Sequence, residues 1–174
     1  IPDSEKIEKL SKALKVNPDY FFRTTKVELG EFEFRKIDKL SKKEAAIINE
    51  KTKEYLSRYL ELEEIIGLQN KFEHPLADYP EVTRYEHVDK AAEIIRQKWS
   101  LGKGAIFNIV ELLEDKNIKV IKLDVSENFD GLQAFVNGNI PVIAYNVNKA
   151  NKPDRIRFTL LHELAHLLLK FGNV

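Results

Sequence analysis

The sequence predicts a mainly helical α+β fold in which a small three-stranded sheet lies next to a helix carrying paired histidines. Three observations lead there. Long stretches place apolar residues at three- and four-residue steps behind helix-capping residues. The clearest strand-like patterning lies in one block, residues 118–145. Directly after it, an apolar run returns to the helical period. Strands gathered in one block and followed by a helix make an α+β layer rather than alternating βαβ units.

The chain opens with an amphipathic stretch, residues 4–14, whose Ile7, Leu10, Ala13 and Leu14 fall on one helical face. Asn17 and Pro18 signal a second helix start, with Tyr20, Phe21 and Phe22 as anchors. Residues 23–40 alternate in places around Gly30 and read as a linker with an extended stretch. Ser41 and Glu44 form a capping box that opens a long helix reaching about Ile66. Ile48, Tyr55, Tyr59, Leu62 and Ile66 trace its expected seam, suited to packing on the rest of the chain or to a homodimer contact.

Residues 68–82, with Pro75 and Pro80, read as a loop. Thr83 and Glu86 repeat the capping-box signal before a stripe of Val88, Ala91, Ala92, Ile95 and Trp99. Gly102 and Gly104 break that helix, and another spans roughly residues 106–115. Residues 118–123 are a β-branched run. Residues 132–136 and 140–145 flank Asn137 and Gly138, two residue types that tolerate positive φ in a hairpin turn. The last helix opens near Asn151, with Pro153 and Asp154 in its first turn, and runs to about Lys170. Its apolar residues Phe158, Leu160, Leu161, Leu164, Leu167 and Leu168 are expected to bury it.

Composition removes several classes of function. Lys plus Arg and Asp plus Glu each number 28, and a net charge of zero argues against a chain devoted to gripping phosphate backbones. There is no cysteine, which rules out disulfides and thiolate metal sites. A metal here would be held by His and carboxylate, a donor set that suits catalytic zinc. No apolar run approaches the roughly 18 residues of a membrane span, and no signal peptide is evident, so a cytoplasmic location without membrane partners is expected. The chain begins at Ile1, has no Met and stops at Val174 just after a helical segment. It therefore reads as a piece of a longer protein, truncated at both ends.

Inside the last helix lies His162-Glu163-Leu164-Ala165-His166. Side chains four residues apart stack one turn over the other and can share one ion. Glu163 projects about 100° round the helix from His162, given 3.6 residues per turn, and reaches the ion's surroundings from the side. His162 and His166 are thus candidate metal ligands, and Glu163 a candidate general base acting on metal-activated water. A five-residue pattern is short, so its setting on a capped amphipathic helix behind a β-hairpin carries much of the weight. His74, in a proline-bearing loop, and His87, at a helix start, read as surface or capping residues. Phe129-Asp130-Gly131 could bring a carboxylate near the hairpin, but a plain turn is the stronger reading.

Residues from about Trp99 to Phe171 resemble the ImmA/IrrE family of zinc metallo-endopeptidases. The matching stretches are residues 118–124, Phe129-Asp130-Gly131, Pro141-Val142-Ile143, and Asp154 to Thr159 running into residues 162–169. The resemblance implies a zincin-like fold, Zn2+ as cofactor, His162 and His166 as ligands and Glu163 as the catalytic residue. It also implies a third, carboxylate ligand on a later helix, expected beyond Val174. Residues 1–22 resemble the final helices of a lambda-repressor-type helix-turn-helix domain of the Xre class, whose recognition helix would lie upstream of Ile1.

The expected organisation is therefore a helix-turn-helix remnant over residues 1–22, a linker and long helix over 23–82, and the N-terminal part of a zinc peptidase domain over 83–174. The expected function is zinc-dependent cleavage of a regulatory protein, plausibly a repressor, within a transcriptional regulator that binds DNA through its missing upstream domain. Without the third ligand, this chain is expected to bind zinc weakly and to have little activity. The competing expectation is a regulator whose peptidase-like domain senses a metal, ligand or partner without cutting.

Overall fold

The computed structural model describes residues 3–14, 17–22, 40–68, 71–126 and 128–172. Most of the expected linker, residues 23–39, lies outside them. Five helices and a three-stranded sheet follow in the order α1 (Ser4–Leu14), a 3-10 turn (Pro18–Phe22), α2 (Lys42–Ile65), α3 (Tyr85–Lys98), α4 (Ile109–Asp115), β1 (Lys119–Leu123), β2 (Gly131–Val136), β3 (Ile140–Asn146) and α5 (Pro153–Leu168). The fold is α+β, as expected. None of the described helices is long and apolar enough to cross a membrane.

Helix starts follow local chemistry. Ser41 accepts from the Glu44 backbone N–H at 3.2 Å, and Glu44 accepts in return from the Ser41 backbone N–H at 2.9 Å. Donation from the Ser41 backbone N–H and the Ser41 hydroxyl, with one bond from the Ser126 hydroxyl, holds the Glu44 carboxyl pKa down to about 2. The second expected box does not form. Helix α3 begins after Arg84, not Thr83, and the Arg84 side chain makes no cap. His87 Nδ1 instead accepts from the Thr83 backbone N–H at 3.3 Å, just ahead of the helix. The expected helix over 106–115 is shortened to α4, because Asn108 is its N-cap and accepts from the Glu111 N–H.

The sheet order is β1-β3-β2, with β1 parallel and β2 antiparallel to the central β3. Asn137 and Gly138 adopt φ of 50° and 75°, as the hairpin between β2 and β3 requires. Alternation along each strand sends side chains to two cores. On one face Leu132, Val136, Val142, Ala144, Ile121 and Leu123 pack with Ile48 and Leu56 of α2. On the other, Val120, Ile143 and Tyr145 pack with Leu160, Leu164, Leu167 and Leu168 of α5. The sheet is therefore a middle layer between α2 and α5.

The seam of α2 differs from the expected one. Its buried residues are Ile48, Thr52 and Leu56, whereas Tyr55, Leu62 and Ile66 are exposed. A sheet presents a broad, nearly flat surface, so a strict four-residue row beds on it better than a heptad-like seam. Thr52 fits there because its hydroxyl donates to the Ile48 carbonyl at 2.7 Å. In α3, Ala91 and Trp99 are buried as expected, but Val88 and Ala92 face outward.

One charged contact ties α2 to the sheet. Lys119 of β1 pairs with Glu63, and its ammonium lies 4.8 Å over the Tyr59 ring. The Lys119 side chain is only 9% exposed and that of Glu63 21%. Removing one partner strands the other in a poorly hydrated place, so Lys119→Ala is expected to cost about 3 kcal/mol in urea unfolding. The double change Lys119→Met with Glu63→Leu should be close to neutral, and a single variant as stable as wild type would show that the pair holds nothing.

Candidate metal and catalytic site

Helix α5 starts after Lys152 with Pro153 in its first turn, where a missing N–H costs nothing. It packs over β2 and β3. Leu160, Leu164, Leu167 and Leu168 are buried, which fixes the helix's rotation. Phe158 and Leu161, expected to help bury it, are instead 62% and 36% exposed, because they lie on the side turned away from the sheet.

The two histidines converge. His162 Nε2 and His166 Nε2 are 3.2 Å apart, and their rings meet edge to face with centroids 4.7 Å apart. Zinc–imidazole bonds of about 2.0–2.1 Å at a tetrahedral angle separate two nitrogens by about 3.3 Å. The pair therefore already has the spacing of one edge of a zinc tetrahedron. With a proton in place of a metal, the same spacing makes a ring-to-ring hydrogen bond.

Glu163 is the buried member of the motif, 9% exposed. Its side chain runs between α5 and the first residue of β2. A Cβ built on Gly131 would lie 3.1 Å from Glu163 Cγ, 3.1 Å from Thr159 Cγ2 and 3.0 Å from the Ala144 carbonyl oxygen. The bare glycine is thus what lets the helix and the carboxylate side chain come this close to the sheet. Gly131→Ala must push against backbone on one side and Glu163 on the other. We expect it to lower any hydrolytic activity at least about tenfold by misplacing the carboxylate, with the fold retained by circular dichroism. Unchanged activity would mean that the close approach does not position Glu163.

Asp130 precedes this glycine and is not a free ligand. Burial pushes its carboxyl up, but Lys149 at 3.0 Å and Arg155 at 3.3 Å outweigh that and hold it below its ordinary value. It ties the start of β2 to the start of α5. Nearby, Asn146 is fully buried and donates to the carbonyls of Ser126 and Phe129, fixing the loop that delivers Asp130 and Gly131.

His74 and His87 stay apart from the pair. His74 Nδ1 accepts from the Leu76 N–H at 3.1 Å, and burial lowers its pKa. Among the described residues no group of three or more His, Asp or Glu gathers around one point. The third ligand expected beyond Val174 lies outside them. His162 and His166 fit two positions of a zinc centre, with Glu163 alongside.

Gly131, Thr159 and Phe171 are the site residues that a reading of single elements misses. Phe171 lies beyond the end of α5, where Val82 pairs with it in a parallel bridge. Val82 donates to the Lys170 carbonyl at 2.8 Å and accepts from the Gly172 N–H at 3.2 Å. This pairing sets the Phe171 ring 5.4 Å from that of His166. No local signal announces it, because its partner is some 90 residues earlier.

Residues 113–173 match the family described as Peptidase_M78: IrrE N-terminal-like domain. The segment runs from the end of α4 through all three strands and α5, so the likeness to that family covers the sheet and the histidine-bearing helix. No curated protein and no solved structure matches the chain.

Proposed function

We propose that this domain is a zinc-dependent endopeptidase, that His162 and His166 hold the metal, and that Glu163 is the general base. The observation that carries the proposal is the 3.2 Å approach of the two Nε2 atoms beside a buried carboxylate side chain. Zinc, when bound, supplies the Lewis acidity that polarises a scissile carbonyl and acidifies water. The chain's own residues do the rest. Leu160, Leu164 and Leu167 keep the helix from rotating, so the two imidazoles stay aimed at one point. Glu163, set against Gly131, takes a proton from the attacking water and returns it to the departing amine.

The substrate in this reading is a protein segment, extended along β2. That strand is at an edge of the sheet, so one side of its backbone has no strand partner among the described residues. Such an edge accepts a further strand through main-chain hydrogen bonds. Because β2 begins at Gly131, beside Glu163, a peptide added there passes the base.

A helix-turn-helix repressor is the substrate we assign, and transcriptional regulation is the setting in which it is cut. The deciding experiment incubates the zinc-loaded full-length protein with a purified repressor of that class, next to its Glu163→Gln variant. Cleavage by the wild type alone supports the reading. Equal cleavage by both, or by neither, removes it.

A further inference from the structure

Gln133 sits in an apolar setting on β2. Burial alternates along this strand, and Leu132 and Val136 point into the core shared with α2. Gly131, Gln133 and Phe135 therefore occupy the opposite face. Gly131 lies against Thr159 and Glu163, and Phe135 packs on the core that contains α5, so this face is turned to α5. The cross-strand partner of Gln133 on β3 is Ile143, buried in that same core. On the other flank of Gln133 lies the edge of the sheet.

β2 advances alongside α5 in the same sense. Asp130 is level with Arg155, its ion-pair partner, and Gly131 with Thr159 and Glu163. Two further strand residues cover about 6.6 Å, a distance that a helix covers in about four residues. Gln133 is thus level with the stretch of α5 that carries His166.

Packing alone gives no reason for an amide at this place. Gln133 is half-buried, between a glycine and a phenylalanine along its row and beside an isoleucine across it. Its side chain offers two N–H donors and a carbonyl acceptor, yet makes no hydrogen bond to another described residue. Asn146, in β3 of the same sheet, is the contrast. Its amide donates to the Ser126 and Phe129 carbonyls and accepts from the Asn148 N–H. A few polar groups held at the rim of a site, and not used by the fold, are what give a groove its specificity.

Resting on the peptidase reading and its path along β2, we infer that Gln133 is a specificity-determining residue that selects an amide side chain, Gln or Asn, at one position of the substrate. A peptide paired with β2 turns alternate residues to the α5 face, and one of these lies beside Gln133 at cross-strand distance. Its same-face neighbour, two residues away, lies beside Gly131, where Glu163 acts. The residue between them faces α2 and does not meet Gln133. The selected residue therefore has one fixed place relative to the cut bond. An amide there donates to Gln133 Oε1 and accepts from Gln133 Nε2. A leucine covers the Gln133 amide without giving it a partner.

The test uses fluorogenic peptides cut at a single bond, mapped by mass spectrometry, by the zinc-loaded full-length protein. Each position in turn carries Gln, Leu or Lys. At one position Gln is expected to exceed Leu by about 3- to 10-fold in kcat/KM, the scale of a net hydrogen bond. Gln133→Leu should reverse the preference at that position and at no other. Gln133→Glu should move it to Lys, an exchange that a merely structural role would not produce.

Peptides cut with no Gln preference at any position would overturn the inference and leave the peptidase reading intact. So would a preference that both variants leave in place, or an equal loss on every peptide in both. If the wild type cuts no peptide, the peptidase reading fails separately. Dissociation constants of the same peptides on Glu163→Gln, from fluorescence anisotropy, then decide. A Gln preference at one position that Gln133→Leu removes in that background upholds the amide contact, and unselective or absent binding ends the proposal.

Discussion

Glu163→Gln lowers peptide hydrolysis by about 10²- to 10⁴-fold, the range that a positioned general base contributes, and leaves zinc affinity nearly unchanged. The amide matches the carboxylate in size, and the side chain lies against Gly131, so the shape of the site survives. What disappears is the ability to take a proton from water. The effect belongs in kcat rather than KM, because the lost interaction acts on the reacting water and not on the bound peptide. The variant also separates protease from sensor in a cell carrying the full-length protein. Promoter regulation that persists in Glu163→Gln means the domain senses without cutting, and regulation lost with cleavage means that cutting is the signal.

His162→Ala removes one of the two converging nitrogens and should weaken zinc binding by more than the roughly 10- to 100-fold that loss of a supporting outer contact costs. The remaining imidazole of His166 cannot hold the ion at the former point, because the tetrahedron edge defined by the 3.2 Å pair no longer exists. Competition with a zinc-binding dye reads the affinity directly, without any assay of activity. The fold should tolerate the change, since His162 is only half-buried and stacks on the exposed Phe158. Zinc affinity equal to wild type in both His162→Ala and His166→Ala would show that the metal sits elsewhere or not at all.

The helices, the hairpin and the histidine pair were legible because each is specified by residues close in the chain. Ser41 and Glu44 cap α2 across three residues, and Asn137 with Gly138 turns β2 into β3 across three. The pair His162 and His166 meets because the helical period brings every fourth side chain round to the same line. Capping at α3 misled for the same reason that it usually informs. Thr83 and Glu86 have the right types and spacing, but His87 bonds the Thr83 N–H and the helix starts at Tyr85.

What determines the chemistry divides in the same way. The sequence by itself determined that two imidazoles stand one turn apart on one line of a helix, with a carboxylate about 100° round from the first, since the helix has 3.6 residues per turn. Only the tertiary structure decided which way the carboxylate lies, what walls it and what flanks the pair. Gly131 stands opposite Glu163 because the sheet places β2 under α5, and Phe171 reaches His166 because Val82 pairs with it. The buried row of α2 is Ile48, Thr52 and Leu56 because a sheet, and not another helix, lies against it. Contacts between residues tens of positions apart depend on how layers stack, and no local period or cap encodes that stacking.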